Sequence, residues 1–273
     1  MTLAFNGKII GVISIKGGVG KTTTVVNLAH TLATVYGKKV LAVDANFSSP
    51  NLGLHVGLVN PSVTLYNVLN NQNLVTDAVY EHEHGFHILP TALVNYKINP
   101  FLLKSKISSL KKYYDFILID SSPNLNTETL SVMLASDELL VVSTPDVPTL
   151  SCTLKAIKTA KEKEVNIAGI IITKVENKKY ELSIEEIEST TGTPVIGMIP
   201  YNNRVLESLS KVSPVTKLSE NSDSSVAYNQ IAAIISDSEL KQPNVLKRIF
   251  ANVKDDFADL KNHDFSTGYK YYK

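Results

Sequence analysis

Eight consecutive residues carry the strongest chemistry in this chain: Lys16-Gly17-Gly18-Val19-Gly20-Lys21-Thr22-Thr23. The three glycines can adopt positive φ and leave the backbone bare, so that successive N–H groups converge on phosphate oxygens. A helix opening directly behind them would add its N-terminal donors and the positive end of its dipole. Lys21 would neutralise terminal phosphates, and the Thr22 hydroxyl would ligate Mg²⁺. The stretch Ile15, Lys16, Gly17, Gly18, Val19, Gly20, Lys21, Thr22 and Thr23 is therefore the expected phosphate cradle. Two aspartates could share a cation with it. Asp44 ends the apolar run Lys39 to Val43, and Asp120 ends Phe116 to Ile119. A lone aspartate after such a run is ordinarily a turn or cap residue. Two of them beside a phosphate loop point instead to Mg²⁺.

These residues are useful only if the chain delivers them to one edge. Short β-rich runs recur at Lys8 to Ile15, Lys39 to Val43, Phe86 to Leu89, Phe116 to Ile119, Leu139 to Ser143, Ile167 to Ile172 and Val195 to Ile199. Most are apolar on both faces, as in Phe116-Ile117-Leu118-Ile119, which suits strands covered on both sides of a parallel sheet. The segments between them, such as Thr23 to Val35 and Val147 to Lys163, have helical patterns. Repeated strand–helix units predict an α/β, doubly wound, mostly parallel sheet with helices on both faces. Ligands of such sheets sit at the carboxyl ends of the strands, where the glycine loop, Asp44 and Asp120 all fall. With no linker or composition shift before about residue 240, residues 1–240 are expected to form one domain, followed by 241–260 and a tail, 261–273.

The general phosphate-loop pattern would place a glycine at position 15, where this chain has Ile15, and does not require a lysine at 16. On the residues alone Lys16 could equally be a solvated surface lysine. With it, the loop resembles the deviant Walker A motif of the MinD/ParA family of P-loop ATPases, and the likeness runs over residues 8 to 250. The resemblance implies that ATP and Mg²⁺ are bound and ATP is hydrolysed. It implies an ATP-dependent homodimer in which Lys16 reaches the other subunit's phosphates. It implies that Asp120 closes a Walker B strand and holds Mg²⁺, with Asp44 and Thr22 at the same ion. Similar proteins carry a second aspartate at position 46 to orient the attacking water. Asn46 stands there, and a carboxamide can position water but cannot take its proton, so slow hydrolysis is expected. Lys174, Pro200, Tyr201 and Asn202 match loops that frame adenine in the family.

Beyond Pro243, Leu246, Ile249, Phe250, Val253, Phe257 and Leu260 form one helical stripe flanked by Lys247, Arg248 and Lys254. That pattern suits a helix lying in an anionic membrane surface. It also resembles the family's membrane-targeting segment, though Asp255, Asp256 and Asp259 weaken the charge attraction. Other features are bland. Glu81-His82-Glu83-His84-Gly85-Phe86-His87 has a metal-like composition, but solvated surface histidines are expected there, and Cys152 is expected to be a small buried hydrophobe.

The 273 residues are 44% hydrophobic and 19% charged, which excludes a disordered chain. One cysteine excludes an intrachain disulfide framework or a paired-cysteine iron–sulfur carrier, and fits a reducing compartment. No apolar run approaches the roughly 18 residues of a membrane span, and no secretory leader is evident. The chain is therefore expected in the cytoplasm, and the resemblance implies peripheral attachment to the membrane's inner face in the ATP state. A net charge of +1 makes DNA, the ligand of a partitioning ATPase, the less favoured partner. A protein activator or cargo is implied without being identified, and an ATP-binding scaffold with little hydrolysis is the other alternative.

Overall fold

The structure, a computed structural model, describes residues 7–92 and 98–240. The stripe residues Leu246, Ile249, Phe250 and Val253, and the tail 261–273, lie outside the described residues. The chain divides into two units, Met1–Ser238 and Glu239–Lys273, and the fold is that of the first.

Among the described residues, eight strands form one sheet: β1 (Lys8–Ile13), β2 (Val40–Ala45), β3 (Tyr80–Glu81), β4 (His87–Leu89), β5 (Phe116–Ser121), β6 (Glu138–Ser143), β7 (Asn166–Val175) and β8 (Val195–Pro200). Their spatial order is β3-β4-β2-β5-β1-β6-β7-β8. All adjacent pairs are parallel except β3–β4. This is the doubly wound sheet expected from the sequence. Seven strands coincide with the apolar runs to within a few residues; β3 gives no such signal, because two residues carry no readable alternation.

The interior strands are apolar on successive residues because each face packs on its own layer of helices. Ile9 and Ile13 of β1, Ile117 and Ile119 of β5, and Leu139 and Val141 of β6 face one layer. It draws on α3 (Leu65–Leu69), α4 (Leu103–Ile107), α5 (Thr127–Ala135), α6 (Val147–Glu162) and α7 (Ile184–Thr191). Ile10, Val12, Leu118, Leu140 and Val142 face the other, built mainly from α1 (Lys21–Thr34), with α2 (Leu52–His55), α9 (Val215–Leu218) and α10 (Asp223–Ile235). The remaining helix, α8 (Asn203–Ser210), leaves Leu206 and Leu209 exposed. Among the described residues no helix is long and apolar enough to cross a membrane.

This arrangement fixes the site. β5 lies between β1 and β2, with Val12 opposite Asp120 and Asp44 opposite Asp120 in the two registers. The carboxyl ends of β1, β2 and β5 therefore deliver the glycine loop and both aspartates to one stretch of the sheet edge. Two expectations are corrected. His84 is buried at 3% exposure, against the rings of His30 and His82, because the β3–β4 turn folds onto α1. Cys152 is half-buried, since it sits on the flank of α6 rather than its inward stripe.

Candidate functional site

The glycine loop joins β1 to α1 with Gly18 at φ 77° and Gly20 at φ 93°. Both lie in the left-handed region where a side chain is strained. Gly20 caps α1 with no side-chain hydrogen bond, and the helix has no acidic residue in its first turn. The donors of that end are thus left for an anion. Gly17 to Thr23 line a cavity of about 370 Å³ together with Asn46, Lys174, Pro200, Tyr201 and Asn202. The phosphate cradle and the residues expected around a base therefore share one cavity. Ile15, expected in the cradle, does not line the cavity; its carbonyl accepts the Asn124 N–H at 2.9 Å and ties the loop to the segment after β5.

Lys21 is buried, which lowers its pKa, with the nearby Asp120 charge acting in the opposite sense. The Thr22 hydroxyl lies 2.6 Å from Asp120 Oδ2 and 2.9 Å from Asn51 Oδ1, two acceptors for a single proton. Asp120 is wholly buried and its Oδ1 has no hydrogen-bond partner. Asp44, 1% exposed, accepts from the backbone N–H groups of Asn46 (3.1 Å), Asn51 (3.1 Å) and Leu52 (3.0 Å), so it staples the loop that follows β2. Burial pushes both carboxyls upward, and for Asp44 the neighbouring Asp120 adds to the push. A hydroxyl, an amide oxygen and two destabilised carboxylates, one with an unpaired oxygen, are hard donors short of positive charge. They fit Mg²⁺, which takes one or two carboxylates and completes its shell with water and phosphate oxygens.

Asn46 is 3% exposed on the cavity wall. Its Nδ2 donates to Ser49 O at 2.6 Å, and its Oδ1 has no partner. Lys16 is the exception to this convergence. Its Nζ turns away to Thr149 Oγ1 (2.6 Å) and Asp146 Oδ1 (3.2 Å) at the start of α6. It lines an adjoining concavity of about 460 Å³ with Thr144, Asp146, Tyr180 and Glu181, which shares Gly17, Gly18, Val19 and Lys174 with the main cavity.

Sequence reasoning missed three participants, Asn51, His55 and Asp146. Asn51 and His55 line the main cavity, and Thr173 hydrogen-bonds the loop through Val19 O at 2.6 Å. Asp146 receives Lys16. Only Asp146 left a signal, as an aspartate capping a helix with proline in its first turn.

The same fold recurs in known proteins. A family model described as an AAA domain matches residues 7–168. An uncharacterised ATP-binding protein of Methanocaldococcus jannaschii is 33% identical over 230 residues, covering 83% of this chain and 87% of the relative. The structure of the cell division ATPase MinD of Pyrococcus furiosus is similar at a TM-score of 0.81 and 33% identity, covering 85% of this chain and 99% of that one. The septum site-determining protein MinD of Pyrococcus horikoshii, solved in complex with Mg-ADP, gives 0.80 and 31%, covering 84% and 96%.

Proposed function

The chain belongs to the MinD/ParA family of P-loop ATPases, and on that premise we propose that it is an ATP-driven spatial switch. It binds ATP and Mg²⁺, closes into a dimer, attaches reversibly to a membrane surface, and positions the division site or another cellular structure. Within one subunit, the glycine-loop N–H groups and Lys21 bind the phosphates. Thr22, Asp120 and Asp44 would hold Mg²⁺, which supplies charge neutralisation at the transferring phosphoryl group. Lys174, Pro200, Tyr201 and Asn202 frame the base. Asn46 orients water through Oδ1 and cannot take its proton, so turnover is slow until a protein activator or cargo intervenes.

The observation that carries the dimer is the division of labour between the two lysines. Lys21 lines the nucleotide cavity, whereas Lys16 does not: it lines the concavity that adjoins it across the glycine loop, with its Nζ 3.2 Å from Asp146. A loop lysine that does not serve its own nucleotide is free to serve that of a second copy. Pairing two subunits also pairs two tails, and two marginal lipid anchors at high effective concentration bind where one does not. The stripe of Leu246, Ile249, Phe250 and Val253 is the proposed anchor. The test is light scattering of the full chain with a slowly hydrolysed ATP analogue and with ADP. A dimer is expected with the analogue alone, and Lys16→Ala should bind nucleotide yet remain monomeric. A Lys16→Ala chain that dimerises as tightly as the parent removes this reading.

A further inference from the structure

The loop after β2 is held unequally. Asp44 secures its ends through the N–H groups of Asn46, Asn51 and Leu52. Among the described residues, the hydrogen bonds tying its apex to another element both run from Ser48 to Glu128, on the first turn of α5. The Ser48 hydroxyl donates to Oε1, and the Ser48 N–H donates to Oε2 at 3.4 Å.

That apex sets the orientation of Asn46. Ser49 O can only accept, so the group facing it at 2.6 Å is the Asn46 NH₂. The amide oxygen is thereby left buried and unpartnered on the cavity wall. An unsatisfied buried acceptor is costly, and a water that donates to it is correspondingly favoured. If Ser49 moves, the carboxamide is free to rotate and present NH₂, which repels the hydrogens of a nucleophilic water.

We propose that Glu128 is a positioning residue for hydrolysis. It clasps the 46–51 loop through Ser48, fixes Ser49 O, and so aims Asn46 Oδ1 at the site of the attacking water. Because α5 follows the loop that leaves Asp120, the clasp also makes the segments after β2 and β5 move as one body. The inference rests on the reading of Asn46 as the water-orienting residue and adds a residue to it.

Two readouts on the full chain test it. The first is hydrogen exchange of the backbone amides of residues 44–55 without nucleotide. Glu128→Ala and Ser48→Ala should each accelerate exchange there by about fivefold or more, and together no further than either alone, the behaviour of one shared interaction. The second is steady-state hydrolysis. Each variant should lose about fivefold in kcat, with KM for ATP and the melting temperature unchanged. Glu128→Gln keeps one acceptor for Ser48 and should fall between. Unchanged exchange, or additive effects in the double variant, overturns the clasp. Faster exchange with kcat unmoved overturns its role in positioning. A parent chain without turnover would remove the Asn46 reading and with it the catalytic role, while the exchange data still decide the clasp.

Discussion

Replacing Asp146 by asparagine should tighten the ATP-dependent dimer. Asp146 caps α6, accepting the Thr149 N–H at 2.9 Å, and takes further bonds from the hydroxyls of Thr144 and Thr149 and from Lys16. Burial alone would raise its pKa, but these bonds outweigh it and hold the carboxyl at about 2. It is therefore charged throughout the neutral range. Asparagine retains one oxygen to cap the helix and loses the charge; its NH₂ takes the place of Oδ2, where the Thr144 hydroxyl can rotate to accept from it. The ion pair that goes has side chains 41% and 42% exposed, a setting in which such pairs contribute about 0.2–1 kcal/mol. If Lys16 must leave Asp146 to reach a second subunit, each dimer breaks two pairs, or about 0.4–2 kcal/mol, which is about a twofold to thirtyfold change in dissociation constant. Sedimentation equilibrium with a slowly hydrolysed analogue reads that range. The double variant Lys16→Ala, Asp146→Asn should show none of the gain. A dimer no tighter in Asp146→Asn, or a gain that survives loss of Lys16, would refute the competition between the intrachain pair and the dimer.

Asn46→Asp restores a proton acceptor on the cavity wall and should raise kcat by about tenfold or more; unchanged turnover means that position 46 is not at the water. A pH effect comes from His30, whose Nδ1 is hydrogen-bonded to the Thr216 hydroxyl and whose pKa is lowered to about 4, by burial first and then by His84 and Lys217. A depressed histidine pKa contributes stability that is full above about 6.5 and is lost as pH falls towards 4, on the order of 2 kcal/mol by pH 5. Urea midpoints at pH 7.5 and 5 should show this loss in the parent and a smaller one in His30→Gln; equal losses would exclude His30 as the source. Sedimentation with anionic liposomes should be ATP-dependent and should vanish in a chain ending at Leu240. Retention after that truncation would place the membrane contact elsewhere.

What the sequence makes legible lies within a few residues along the chain. The glycine loop, the strand before it and the helix after it form one contiguous signal. The apolar runs mark seven strands because strands covered on both faces need no alternation. What stays hidden depends on pairings across the sheet. Nothing near Asp44 says that its register partner is Asp120, 76 residues away, yet that pairing brings two turn-like aspartates side by side, the arrangement a shared cation would require. His84 reads as solvated because its neighbours are Glu83 and Gly85, and only the packing of the β3–β4 turn on α1 buries it. Asn51 and Glu128 carry no motif, since their importance lies in the atoms they meet, Thr22 Oγ1 and Ser48, on other segments.

The two lysines of the loop show why such pairings decide function. Five residues apart, they occupy opposite electrostatic situations. Lys21 is buried, so that keeping its charge is costly and an anion in its own cavity relieves the cost. Lys16 is half-exposed and already paired, so a phosphate gains from it only by displacing Asp146. If the chain pairs on ATP as proposed, nucleotide binding by one subunit uses Lys21 and leaves the Lys16 pair intact, and closure of two subunits exchanges partners at Lys16. Since the pair broken is a weak, solvent-screened one, the exchange adds a small barrier to dimerisation that a γ-phosphate could overcome and its loss on hydrolysis would restore. A buried Lys16–Asp146 pair would have cost several kcal/mol to break, and the switch would stay in one state.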